Sequence, residues 1–153
     1  MIFQTIVVLP ADSLDAEEAI TRLMAPYDME RSVAAHKEYV PQQEFDCMVK
    51  RYADTGLIHG HDEGGFWWMS SDNPLGKWDG WTLWSFEDDS WPTTAALPER
   101  LVPAAILTPD GVWHDLATQW EMSDEQTHEV RTQAAQLLTQ YPSHRAVVLD
   151  CHR

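Results

Sequence analysis

Positive charge is scarce in this chain: ten Lys and Arg stand against 25 Asp and Glu in 153 residues, a formal net charge of −15 at pH 7. Nucleic-acid phosphates are met by Lys and Arg, so direct nucleic-acid binding is excluded, and an anionic membrane surface repels the chain in the same way. Cysteine is scarce as well. Cys47 and Cys151 lie far apart without metal-ligand spacing, which predicts two reduced thiols in an intracellular protein. No apolar run approaches the ~18 residues of a membrane span. The apolar start at residues 2–9 lacks a basic flank and reads as a strand, not a signal peptide. A cytoplasmic protein with no membrane association is expected. Also missing are a phosphate-binding loop (Gly64-Gly65 runs straight into Phe66-Trp67), a G-x-S-x-G elbow and a Cys-x-x-Cys pair. No cofactor is expected.

What is present is tryptophan and acid, in the same stretch. All eight Trp fall between positions 67 and 120, and positions 54–130 hold 15 carboxylates against only Lys77 and Arg100. Large rings interleaved with carboxylates suit a surface that is both adhesive and acidic, because Trp is a favoured anchor at interfaces. The length predicts a single acidic domain spanning 1–153, able to bury roughly 70% of its unfolded surface without a disulfide or metal.

Residues 2–9 are apolar and β-branched with little alternation, which predicts a buried central strand stopped by Pro10. Asp12 or Ser13 is positioned to cap a first helix, whose apolar face is Ala16, Ile20, Leu23, Met24 and Tyr27. A second helix follows Pro41 with Phe45, Met48, Val49 and Tyr52 on one side, and Gly56 as its C-cap. Residues 57–65 read as a loop and residues 78–86 as a strand. Thr108-Pro109-Asp110-Gly111 between two apolar runs predicts a hairpin, Pro presetting φ and Gly accepting a positive φ. Ser123 and Gln126 form a capping box for a last helix carrying Val130, Ala134, Leu137, Leu138 and Tyr141, and residues 146–150 close the chain as a buried strand. Without the middle insertion the order is β-α-β-β-α-β. The expected fold is therefore α+β, a ferredoxin-like split βαβ: an antiparallel sheet covered by helices on one face, with a Trp-rich insertion.

Pro26-Tyr27-Asp28, then Asn73-Pro74 with Lys77-Trp78-Asp79, then Gly111-Val112-Trp113-His114, and finally Asp150-Cys151-His152 form an ordered set. The set resembles a group of small proteins of bacteriophages, prophages and actinobacteria that share a PYD-like turn, an NPxxKWDW segment, a DGxWH hairpin and a DCH-type ending. A Gly-Gly-Arg-Trp segment of that group is replaced here by Trp81-Thr82-Leu83-Trp84. The resemblance implies a phage-related origin and one compact domain, and supplies no activity.

Several clusters could carry chemistry. His59-Gly60-His61-Asp62-Glu63 concentrates metal-type ligands, with His59 and His61 the candidates, but lacks a fixed-face spacing such as HExxH, and a solvated loop without metal is the expectation. His114, Asp115 and His152, with Asp150, could form an acid/base set across the sheet. Cys151 beside His152 on a strand points away from it, so a Cys–His nucleophile is not expected. Trp78, Asp79, Trp81, Trp84, Glu87, Asp88, Asp89 and Trp113 are the candidate partner-binding residues. The leading functional expectation is a non-enzymatic acidic protein of phage type that engages a basic host protein, a defence or DNA-handling factor, as a DNA mimic does. The alternatives are a small-ligand binder or hydrolase using His114, Asp115 and His152, and a structural component that forms a homodimer through its sheet.

Overall fold

The structure, a computed structural model, describes residues 2–70, 73–84, 92–98, 101–117 and 121–153. Along the chain run β1 (Ile2–Val8), α1 (Ala16–Met24), β2 (His36–Val40), α2 (Gln42–Arg51), β3 (His59–Asp62), β4 (Gly65–Ser70), β5 (Gly80–Leu83), β6 (Ala105–Leu107), β7 (Trp113–Asp115), α3 (Asp124–Leu138) and β8 (Ala146–His152). Contacts divide them into two compact units, one of Met1–Pro26 with Trp78–Arg153 and one of Tyr27–Lys77. Among the described residues no helix is long and apolar enough to cross a membrane.

The first unit is built on a five-stranded sheet in the order β5-β8-β1-β6-β7. The architecture is α+β, as expected, with β1 central and paired along its whole length with β8. The sheet is not purely antiparallel, because β1 and β6 run parallel. A split βαβ would set β7 between them. Here β6 lies directly against β1, and β7 is the outer strand. The two hairpin strands differ in kind: Ala105, Ile106 and Leu107 are each no more than 1% exposed, whereas β7 reads Trp-His-Asp. An apolar strand is stabilised inside the sheet, and a polar one at its edge.

The central pair of strands is buried on both pleats. Ile6 to Leu9 of the first strand region and Ala146 to Leu149 of β8 are all at most 2% exposed, so both pleats of the central pair are buried. One face joins Ile6, Val8, Ile106, Ala146 and Val148 to Ala134 of α3, with Leu137, Leu138 and Tyr141 packed alongside. The buried stripe of α1, which is Ala19, Ile20, Leu23 and Met24, contributes nothing to that cluster.

Local chemistry explains the element ends. The N-cap of α1 is Asp15 rather than Asp12 or Ser13; its carboxylate accepts from the Glu17 and Glu18 N–H groups at 2.9 and 3.1 Å. Ser123 and Gln126 form the expected capping box of α3. Gly111 sits at φ +82° in the β6–β7 turn, where Thr108 N–H donates to Val112 O at 3.0 Å.

The second unit is a three-stranded antiparallel sheet, β2-β4-β3, with α2 against β4. The predicted α2 is present with Phe45, Met48 and Val49 half-buried, but its C-cap is Tyr52, and Gly56 (φ +74°) lies in the turn beyond. The loop expected at residues 57–65 is instead β3 and its turn into β4. Strand β3 forms because each of its residues finds a partner on β4, including Gly60, over which the Trp67 ring closes. A Cβ at Gly60 would meet that ring at 2.8 Å.

Candidate functional site

The Trp-rich segment enters the first unit at Trp78. This ring is 8% exposed, and its indole N–H donates to the carbonyl of Met24, the last residue of α1, at 3.1 Å. Strand β5 then pairs with β8, Trp81 opposite Cys151 and Leu83 opposite Leu149. Trp84 donates its N–H to Val148 O at 2.9 Å, and its ring packs on the α3-side core. Trp113 is half-buried and donates its indole N–H to the Asp115 carboxylate at 2.8 Å. All six described Trp are buried or half-buried, and none is exposed. The expected surface set therefore divides. Trp78 and Trp84 serve the core, Trp81 and Trp113 are half covered, and Asp79 stands exposed. Glu87, Asp88 and Asp89 lie outside the described residues, as do Trp91 and Trp120.

Strand register places the acid/base candidates. His114 lies in one row with Ile106, Ile6 and Val148. Asp150 is two residues beyond Val148 along β8, and His152 four. With β1 and β6 intervening, the backbones of His114 and His152 are on the order of 20 Å apart at ordinary strand spacing. The fold does not bring His114 to Asp150 or His152. It does bring His114 and Asp115 to α3, where an open groove of about 460 Å³ is lined by His114, Asp115, Leu116, Gln133, Gln136, Leu137 and Gln140. Gln133, Gln136 and Gln140 recur along α3 at the spacing of one helical stripe, the signal the sequence carries for this groove. Amides beside an imidazole and a carboxylate offer hydrogen-bond donors and acceptors without a fixed charge pattern.

In the second unit His59 and His61 share one face of β3. His59 meets the Phe45 ring edge-on at 5.5 Å, and His61 lies 4.6 Å from Phe66. Asp62 belongs to the opposite face and pairs with Lys37 at 2.5 Å, with Tyr39 also donating to it. The hydrogen bond from Lys37, followed by the Gly64 N–H, holds the Asp62 carboxyl below its ordinary range, and the same bond to Asp62 raises Lys37. Lys37 also sits 4.3 Å from the Trp67 ring centroid. Among the described residues no three potential ligands gather around one point.

Cys151 is fully buried, and desolvation pushes its thiol up to about 11. A thiol so held is a poor nucleophile. Residues of the motif set do structural work. Asp28 accepts from Glu30 and Arg31 N–H groups, Asn73 accepts from Leu75 N–H, and Lys77 N–H closes on Tyr27 O at 2.9 Å. Compared with protein-family models, curated proteins and solved structures, the chain has no match.

Charge divides unequally. The unit Tyr27–Lys77 holds nine acidic and five basic residues, including all three lysines, whereas the other unit holds sixteen acidic residues against five arginines. Between described residues there is one ion pair, Lys37–Asp62, and it belongs to the Tyr27–Lys77 unit.

Proposed function

We propose that the chain is a non-catalytic acidic docking protein, of bacteriophage or prophage type as its motifs imply, that engages a basic partner in the cytoplasm. A DNA-handling or defence factor whose cationic groove ordinarily receives DNA fits this chemistry. The observation that carries the reading is the charge of the sheet-and-α3 unit: sixteen carboxylates against five arginines. An excess of carboxylates over cations sets up a field that draws a cationic surface from a distance and speeds its capture. Asp12, Asp15, Glu17 and Glu18 around the start of α1, and Glu121, Asp124, Glu125 and Glu129 on and before α3, are all exposed.

Protamine serves as a defined basic probe. Association is expected at low salt, falling steeply as salt rises, with double-stranded DNA competing for the probe. The double variant Glu125→Lys, Glu129→Lys is expected to weaken it at least tenfold. Salt-independent binding, or none at low salt, overturns the reading.

A further inference from the structure

The parity of β5 exposes a sheet edge. Trp84 N–H donates to Val148 O, and the register continues through Thr82↔Asp150 and Gly80↔His152. In an antiparallel ladder alternate residues turn their main-chain groups to the partner strand. Gly80, Thr82 and Trp84 thus face β8, and the N–H and C=O groups of Trp81 and Leu83 point outward, where no described residue bonds them. The edge has no Lys, Pro or inward charge, the devices that ordinarily block strand addition.

The two sides of this edge differ. Trp81 and Leu83 share the face of Cys151 and Leu149, and Leu83 is 44% exposed. On the other face stand Thr82, exposed, and Asp150 across from it, with Asp79 exposed just before the strand. A strand added here meets apolar surface on one pleat and acid on the other.

We infer that β5 is a docking edge for an extended segment of a basic protein, a strand in which Lys or Arg alternates with apolar residues. This deepens the acidic-docking reading and rests on it. The incoming main chain would bond Trp81 and Leu83, its apolar residues would lie on those two side chains, and its cations would reach across Thr82 towards Asp150. A second copy of this chain would bring another net charge of −15 to the same edge, so charge complementarity favours the basic segment.

The test uses a fluorescent peptide alternating Lys with Val, a Glu-Val peptide of equal length, and the Leu83→Pro variant. Proline at position 83 removes an outward N–H and no β5–β8 ladder bond, which an edge position tolerates. The Lys-Val peptide is expected to bind the intact chain, at least tenfold more weakly after Leu83→Pro, and the Glu-Val peptide not at all. Amide exchange gives a readout independent of the variant: Trp81 and Leu83 N–H groups become protected only with peptide present, while those of Thr82 and Trp84 are protected throughout. Salt-sensitive peptide binding that leaves Trp81 and Leu83 unprotected and ignores Leu83→Pro overturns the edge while sparing acidic docking. Failure of protamine binding removes both. Protection of Trp81 and Leu83 in a peptide-free dimer assigns the edge to a second copy and overturns the proposal.

Discussion

Replacing Trp78 by Phe separates a scaffold role from a recognition role at the centre of the Trp-rich segment. The ring is 8% exposed and its N–H is 3.1 Å from the carbonyl of Met24, which is itself fully buried. Phe keeps most of the hydrophobic ring but removes that donor. Loss of that one hydrogen bond costs about 0.5–1.5 kcal/mol. The ring fragment lost is about 40 Å³, and at roughly 24 cal/mol per Å³ of unrelaxed cavity it adds about 1 kcal/mol. The total is about 1.5–2.5 kcal/mol, a fall of about 3–10 °C in melting temperature for a chain of this size. Thermal unfolding followed by far-UV circular dichroism reads it, with protamine affinity measured on the same sample. A variant that melts within a degree of the parent and loses protamine binding would refute the reasoning, because Trp78 would then serve a partner and not α1.

Two further substitutions probe single physical terms. Gly111→Ala tests backbone strain alone, since an added Cβ there meets nothing within 4 Å yet φ is +82°; a loss of about 1–2 kcal/mol in urea unfolding is expected, and no loss would mean the turn relaxes. For the thiols, Cys47 is exposed and Cys151 buried, so a disulfide reagent should modify one thiol in native buffer and two in denaturant. Burial raises Cys151 from 9.0 to about 11. The folded state therefore holds its proton more tightly, and the associated stability, complete below about pH 9, is lost as pH climbs towards 11. Cys151→Ala should flatten that alkaline decline, and an unchanged slope would contradict the assignment.

How far the fold could be read from sequence depended on where each element gets its stability. The capping box at Ser123, the Pro-Asp-Gly turn before Val112 and the apolar strands β1 and β8 carry their signals locally, and all form as expected. Strand β3 does not: His59-Gly60-His61-Asp62 has little intrinsic preference for a strand, and forms one because Phe66, Trp67 and Trp68 of β4 present rings to it. Strand β2 is the same case, with Glu38 accepting the Trp68 indole N–H at 3.0 Å and Lys37 held between Asp62 and Trp67. Strand order was hidden for a different reason. Both hairpin orders satisfy the same helix and strand sequence, and the choice turns on which strand is apolar on both faces, a comparison between β6 and β7 rather than a property of either. The acid/base set failed on distance across the sheet, which no local pattern encodes. His114 and Asp115 nevertheless reached a groove, through glutamines on α3 that carry no motif.

The placement of the tryptophans changes what kind of partner this surface can hold. Among the described residues of the unit no Trp ring is exposed, and interfaces that lack such anchors gain little from apolar burial. What it keeps is a dense field of carboxylates and, at β5, main-chain groups of Trp81 and Leu83 that no described residue bonds. Charge acts at a distance and reads no sequence; main-chain bonding reads an extended conformation and only the alternation of side chains. On the docking proposal, a partner chosen by these two means would carry a cationic, strand-forming segment, would be captured fast at low salt and released as salt rises, and could vary in sequence without losing the contact. Such tolerance would follow from using Trp78 to hold α1 and Trp84 to fill the core instead of the surface.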